Sequence, residues 1–169
     1  MYKTTLARHP LHPILIVGPA GLLPFSFAMD LMQRSTGEES YNHAAYHSMS
    51  AGITTALAAG AAGAVDYLSI ADDSPTKRTG TTHGVMNIAL MALYGLNLAM
   101  RRKEEPASGL CIALSAIGTA GLLASAWFGG QMVYEYGMRV KGRSEVEYAQ
   151  DLKLPGDEAI AQTLERIGG

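Results

Sequence analysis

Charge is scarce in this chain. Asp, Glu, Lys and Arg make up 17% of its 169 residues, against roughly 25% in soluble domains, and they gather in a few short polar stretches. A formal net charge of −2 leaves no basic surface of the kind nucleic-acid binding requires. Cysteine is almost absent too. With Cys111 alone, an internal disulfide, a CxxCH haem attachment and a cysteine-based zinc or iron–sulfur site are excluded. A lone thiol of this kind is expected as a small buried apolar residue. No serine stands in a nucleophile elbow and no Gly-rich phosphate loop follows a strand, so nucleophilic catalysis has no motif to rest on. Neither a long-period repeat nor a low-complexity segment is expected.

What the chain does have is four apolar runs. Run one spans Ile14 to Met29 and ends at Asp30; run two, His47 to Val65, stops at Asp66-Tyr67. Run three, Gly84 to Met100, ends at Arg101-Arg102-Lys103, and run four, Pro106 to Tyr134, is the longest without a charge. About 20 apolar residues cross a bilayer core. Run two is rich in small residues (Gly52, Ala56, Gly60, Gly63, Ala64), which suit close helix approach in lipid. None of the runs shows a polar face at helical spacing, which a soluble bundle would need. Lys3 and Arg8 ahead of run one, with Ser26-Phe27-Ala28 within it, resemble a signal peptide; the segment is read as an uncleaved anchor. Pro19 and Pro24 are expected to kink the first helix.

The fold class predicted is all-α: a four-transmembrane-helix up-and-down bundle with a short polar C-terminal tail. Residues 1–138 form the membrane domain, with helices about 13–33, 42–70, 82–102 and 107–136, and the stretch Ala71 to Thr82 is read as a turn. Residues 139–169 form an extramembrane tail, with a short helix near 157–167 after Leu154-Pro155-Gly156.

In such a bundle the ligand-type side chains converge on one end. His9 and His12 precede run one, Asp66 closes run two, His83 and Asn87 open run three, and Gln131 and Glu135 follow run four. Coordinating residues at membrane depth are expensive to keep, which suggests function. Helices one and three are diagonal, so His12 and His83 can face each other as axial ligands of a b-type haem. Gly80 and Gly84, with Gly129 and Gly130 opposite, would make room for the macrocycle, and Asp66 or Asn87 would hold a ligand's outer nitrogen. A mononuclear metal site from His9, His12, His83 and Asp66 or Glu135 is a variant; Met86 and Met132 are alternative axial partners. Set against these is a plain interfacial role, in which Asp66 pairs with Arg78 or His83. His43 and His47, one turn apart at the other end near Asp30, read as interfacial.

The chain resembles the DUF2231 family of small bacterial membrane proteins. The likeness rests on His9-Pro10-Leu11-His12-Pro13 with Pro19, Gly63-Ala64-Val65-Asp66-Tyr67, Arg78, and His83 through Asn87. It continues through Leu96-Asn97-Leu98 with Arg101, and Trp127-Phe128-Gly129-Gly130 to Tyr134 and Gly137, covering roughly residues 9–140. The resemblance implies a four-helix membrane domain, sometimes joined to Rieske iron–sulfur or cytochrome-type domains. Val17 stands where many members carry a second histidine, and Glu135-Tyr136 where they carry a basic or histidine pair.

The expected function is therefore a multi-pass subunit of a larger electron-transfer complex in the bacterial inner membrane. It would contact lipid and a Rieske or cytochrome partner, and hold or border haem b. The alternatives are a cofactor-free assembly subunit packed on partner helices and, less favoured by the lack of mid-span charge, a proton or solute channel. Lys3, Arg8, Lys77, Arg78, Arg139, Lys141 and Arg143 lie on the side of the termini. Arg34 and the Arg101-Arg102-Lys103 cluster lie opposite, so the basic bias favours cytoplasmic termini.

Overall fold

The structure, a computed structural model, describes residues 5–6, 9–138, 140, 162–163 and 165–167. Most of the expected tail lies outside the described residues; within it, 162–163 and 165–167 are helical. A two-residue bridge, β1 (Thr5–Leu6) against β2 (His9–Pro10), precedes the first helix.

Helix α1 (Leu11–Leu15) and helix α2 (Val17–Thr36) form one apolar run joined at Ile16. Pro19 has no N–H to give to the carbonyl of Leu15, so the ladder is interrupted early in the run. Pro24 lies inside α2 without ending it. Gly37, at φ 77°, closes α2 in the left-handed conformation that glycine adopts without a Cβ penalty. Helix α3 (Glu39–Tyr67) starts two residues later. Helix α4 (Pro75–Ala99) begins several residues before the expected boundary near 82. The hydroxyl of Ser74 accepts the backbone N–H of Lys77, and Pro75 occupies a first-turn position where its missing N–H costs nothing. Two-thirds of the segment read as a turn, Pro75 to Thr82, is therefore helix. Helix α5 (Gly109–Tyr134) is capped in the same way by Ser108, which accepts from the Cys111 N–H.

α2 packs on α3 and α4 on α5, with cross-contacts of α2 to α5 and α3 to α4. The helices thus stand in a square, with α2 and α4 at opposite corners. Among the described residues, three helical stretches are long and apolar enough to cross a membrane: Leu11–Thr36, Glu39–Tyr67 and Gly109–Tyr134. α4 is not among them, because Thr79, Thr81, Thr82, His83, Asn87 and Asn97 dilute its apolar surface.

The radial distribution of polarity is the reverse of a soluble bundle's. Val17, Ile88 and Leu123 are each at least 71% exposed, while Ser26, Asp30, Asn97, Ser115 and Ser125 are buried. Many large apolar side chains point outward and many small or polar ones inward, as expected where lipid replaces water. The central packing is Leu23, Met49 and Tyr94. Gly52 and Gly118 let two of these in: a Cβ at Gly52 would lie 2.7 Å from Leu23, and one at Gly118 would lie 2.6 Å from the Tyr94 ring.

Those two contacts are related, although the sequence shows no long-period repeat. A shift of 71 residues carries Leu23 onto Tyr94, and a shift of 66 carries Gly52 onto Gly118. The same shifts superpose a buried hydrogen bond. Ser26 Oγ donates to the Ala45 carbonyl (2.8 Å), and Asn97 Nδ2 donates to the Cys111 carbonyl (3.0 Å). The hairpin α1–α2–α3 and the hairpin α4–α5 thus carry corresponding contacts, the pattern that an approximate two-fold axis along the bundle produces. The repeat escapes a reading of sequence because the residues that recur do so through their contacts; Leu23 and Tyr94, or Ser26 and Asn97, differ in type. Ala28-Met29 against Ala99-Met100 is the visible trace.

Candidate functional site

The axis passes between two pairs of residues, one at each end of the bundle. At the end where the chain enters, His12 on α1 and His83 on α4 face each other with ring centres 6.4 Å apart and planes at 86°. Each ring is fixed by the same two features of its hairpin. Nδ1 of His12 donates to the carbonyl of Ala59 (2.8 Å), and Nδ1 of His83 donates to the carbonyl of Ser125 (2.8 Å). One turn further on, each ring lies over a glycine. A Cβ at Gly63 would come within 3.0 Å of the His12 ring, and one at Gly129 within 3.2 Å of the His83 ring. Ala59 and Ser125, and Gly63 and Gly129, obey the same 66-residue shift.

This arrangement fixes the tautomer. A proton on Nδ1, held by a main-chain carbonyl, leaves the lone pair on Nε2, which is how histidines that coordinate metals are commonly oriented. Asn87 lies 3.1 Å from Nε2 of His83. Its amide has only two protons, however, and both have shorter acceptors at 2.8 Å, the His83 carbonyl and Ser125 Oγ. Asn87 thus braces the helix turn and α5 and leaves Nε2 without a firm donor. Nδ1 of His83 is held by the carbonyl of Ser125, not by Asn87.

The wider ligand set does not assemble. Among the described residues, the one group of three or more His, Cys, Asp or Glu side chains close enough to share an ion is Glu39, His43 and Glu104, at the opposite end. His9 is exposed and Asp66 is buried, but neither joins His12 and His83 in such a group. Gln131 and Glu135 turn to each other, Nε2 donating to Oε2 at 3.0 Å.

The glycines expected to open a slot for a macrocycle serve other ends. The space beside Gly129 is taken by His83 itself, and a Cβ at Gly80 would meet Met132 and Tyr67 at 3.4 Å and Ile70 at 3.6 Å. Beside Gly130 lies Tyr134, in ordinary contact, while Gly84 faces open space. In this packing the pair does not fit a haem. One further group at this end is unusual. Thr79, one helical turn before His83, is 1% exposed and its hydroxyl has no hydrogen-bond partner among the described residues.

At the other end of the axis stand Asp30 and Arg101, which sequence reading missed as a pair. Arg101 gives Nη1 to Asp30 Oδ1 (2.8 Å) and Nη2 to Asp30 Oδ2 (2.6 Å), a bidentate bridge with both side chains almost fully buried. Nε donates to Asn97 Oδ1 and the second Nη2 proton to Ser115 Oγ. The available signal was the equivalence of Ala28-Met29-Asp30 with Ala99-Met100-Arg101. Nearby, His43 contacts Glu39 and Glu104 at the surface, and His47 meets Tyr46 edge on.

No curated protein and no solved structure matches the chain. A family model described as a predicted membrane protein does match, over residues 8–142, a segment that contains both axial pairs. The apolar outer surface and the three helices long enough to span a bilayer agree with that description. The chain is a member of the DUF2231 family of predicted membrane proteins.

Proposed function

We propose that all four helices cross the membrane and that the protein works through its axial imidazole pair, which takes one transition-metal ion between Nε2 of His12 and Nε2 of His83. The observation that carries this reading is the double pinning. Each Nδ1 is tied to a helix carbonyl, and each ring is admitted by a glycine. A separation of 6.4 Å between ring centres leaves room for an ion bonded to both at about 2.0–2.1 Å. Imidazole suits zinc, copper, iron and nickel. Thr79 supplies a buried hydroxyl one turn away.

The site belongs, in this reading, to a subunit of a larger electron-transfer complex in the bacterial inner membrane, with both termini cytoplasmic. The resemblance to proteins joined to Rieske or cytochrome-type domains supports that setting. Metal analysis and a visible spectrum of protein purified from membranes test the site. One metal per chain, lost in His83→Asn, is expected, because asparagine keeps an N–H for the Ser125 carbonyl but has no second nitrogen to offer. A reduced b-type haem band would instead show that the helices part to admit a macrocycle.

The second reading is a cofactor-free assembly subunit. It is favoured by the hydrogen bonds with which His83 and Asn87 tie α4 to Ser125 on α5, as polar staples between helices do. Metal-free protein with unchanged partner binding in His83→Asn would establish it.

A further inference from the structure

We infer that Asp30 and Arg101 decide which hairpin pairs with which, and so keep the chain a closed pseudo-dimer of its own two halves. The inference rests on the internal repeat and is independent of whether the imidazole pair holds a metal.

A two-fold relation between similar units poses a problem of choice. If hairpin one fits hairpin two about an axis, it also fits a second copy of hairpin one, and two chains could join through like halves. Leu23 on Gly52 and Tyr94 on Gly118 are contacts within each hairpin, and where the hairpins meet in the Leu23–Met49–Tyr94 core the equivalent residues differ in size but not in charge. Residues that face each other across the axis must therefore make the distinction. At the His12–His83 end both are the same residue type, so this end does not discriminate. At the other end they are of opposite charge, at equivalent positions after the 71-residue shift. Hairpin one on its own copy would bring two Asp30 carboxylates together with no cation between them. Hairpin two on its own copy would bring two Arg101 guanidiniums together. Only the mixed pairing gives the bidentate bridge at 2.6 and 2.8 Å. Like charges brought together cost several kcal/mol even at protein interfaces, and more where water is excluded.

The neighbours of the pair follow the same logic. Arg101 is held by Asn97 and Ser115, whose equivalents beside Asp30 are Ser26 and Met49. Asn97 and Ser115 thus give the arginine acceptors beyond Asp30, which its N–H groups need, whereas the equivalent positions hold a serine that donates to Ala45 and a methionine. Both hairpins have been fitted to one charge each.

The test uses the full-length chain in detergent. Asp30→Arg and Arg101→Asp are each expected to lower the thermal unfolding midpoint by about 6–20 °C. The double exchange Asp30→Arg/Arg101→Asp is expected to recover at least half of that loss. A second measurement isolates partner choice. The two single variants, co-expressed with different tags, regain opposite charges only by exchanging hairpins between chains, and should co-purify as mixed dimers; the wild-type chains should not. A double exchange no more stable than the single variants overturns the inference, as does failure of the two single variants to co-purify while both are inserted in the membrane.

Discussion

The ring of His12 stands over Gly63, with Cε1 only 3.0 Å from where a Cβ would be, and this contact recurs in the other half of the molecule. Glycine is required there by the approach of a ring to the helix, and not by backbone conformation, since Gly63 lies in the middle of α3. The site is thus built into the helix surfaces that carry it, and several consequences can be measured.

Glycines that admit a side chain and glycines that face open space should respond oppositely to alanine. Gly118→Ala drives a Cβ to 2.6 Å from the Tyr94 ring and Gly52→Ala to 2.7 Å from Leu23; each should destabilise by about 1–3 kcal/mol through overpacking. Gly84→Ala and Gly95→Ala meet nothing within 4 Å and should stabilise by roughly 0.5–1 kcal/mol, the helical cost of glycine. Thermal unfolding in detergent separates the two groups.

Asn87 should matter more than its partial exposure suggests. Asn87→Leu keeps the volume but removes the donors that join the His83 carbonyl to Ser125 Oγ. A loss of about 1–2 kcal/mol is expected, measured as a lower unfolding midpoint. For the proposed metal site, which Asn87 supports only through the His83 turn and Ser125, affinity should fall by roughly 10-fold.

The outward face of α4 should lie in lipid although its composition is the least apolar of the four helices. Ile88 is 73% exposed and Leu123, on α5, 71%. Cysteines placed at either position should resist a water-soluble maleimide in intact membranes and react in denaturing detergent. Ile88→Lys should cost roughly 2.5–3.5 kcal/mol of insertion, seen as reduced accumulation in the membrane.

Much of the fold was legible in the sequence because it rests on segregation of charge: each apolar run lies largely inside one helical stretch, although α2 continues past Asp30 to Thr36 and α3 begins at Glu39, well before its apolar run. The start of α4 was less so. Ser74-Pro75 sits among charges that read as a loop, while its capping geometry makes it a helix start. Of the site, the meeting of His12 and His83 could be read from topology alone, since diagonal helices of an up-and-down bundle bring equivalent depths together. What fixes the rings could not, because the carbonyls of Ala59 and Ser125 belong to residues whose side chains carry no signal. Asp30 and Arg101 looked like the ordinary ends of two spans, and only their pairing across 71 residues gives them meaning.

The bis-imidazole site is tested most directly by electron paramagnetic resonance of the purified protein loaded with one equivalent of Cu2+, an ion that nitrogen ligands bind tightly. Two equivalent imidazole nitrogens should appear in the hyperfine pattern of the wild-type protein, and one in either His12→Asn or His83→Asn. A signal from unbound copper, or a bound signal unchanged by both substitutions, would contradict the assignment.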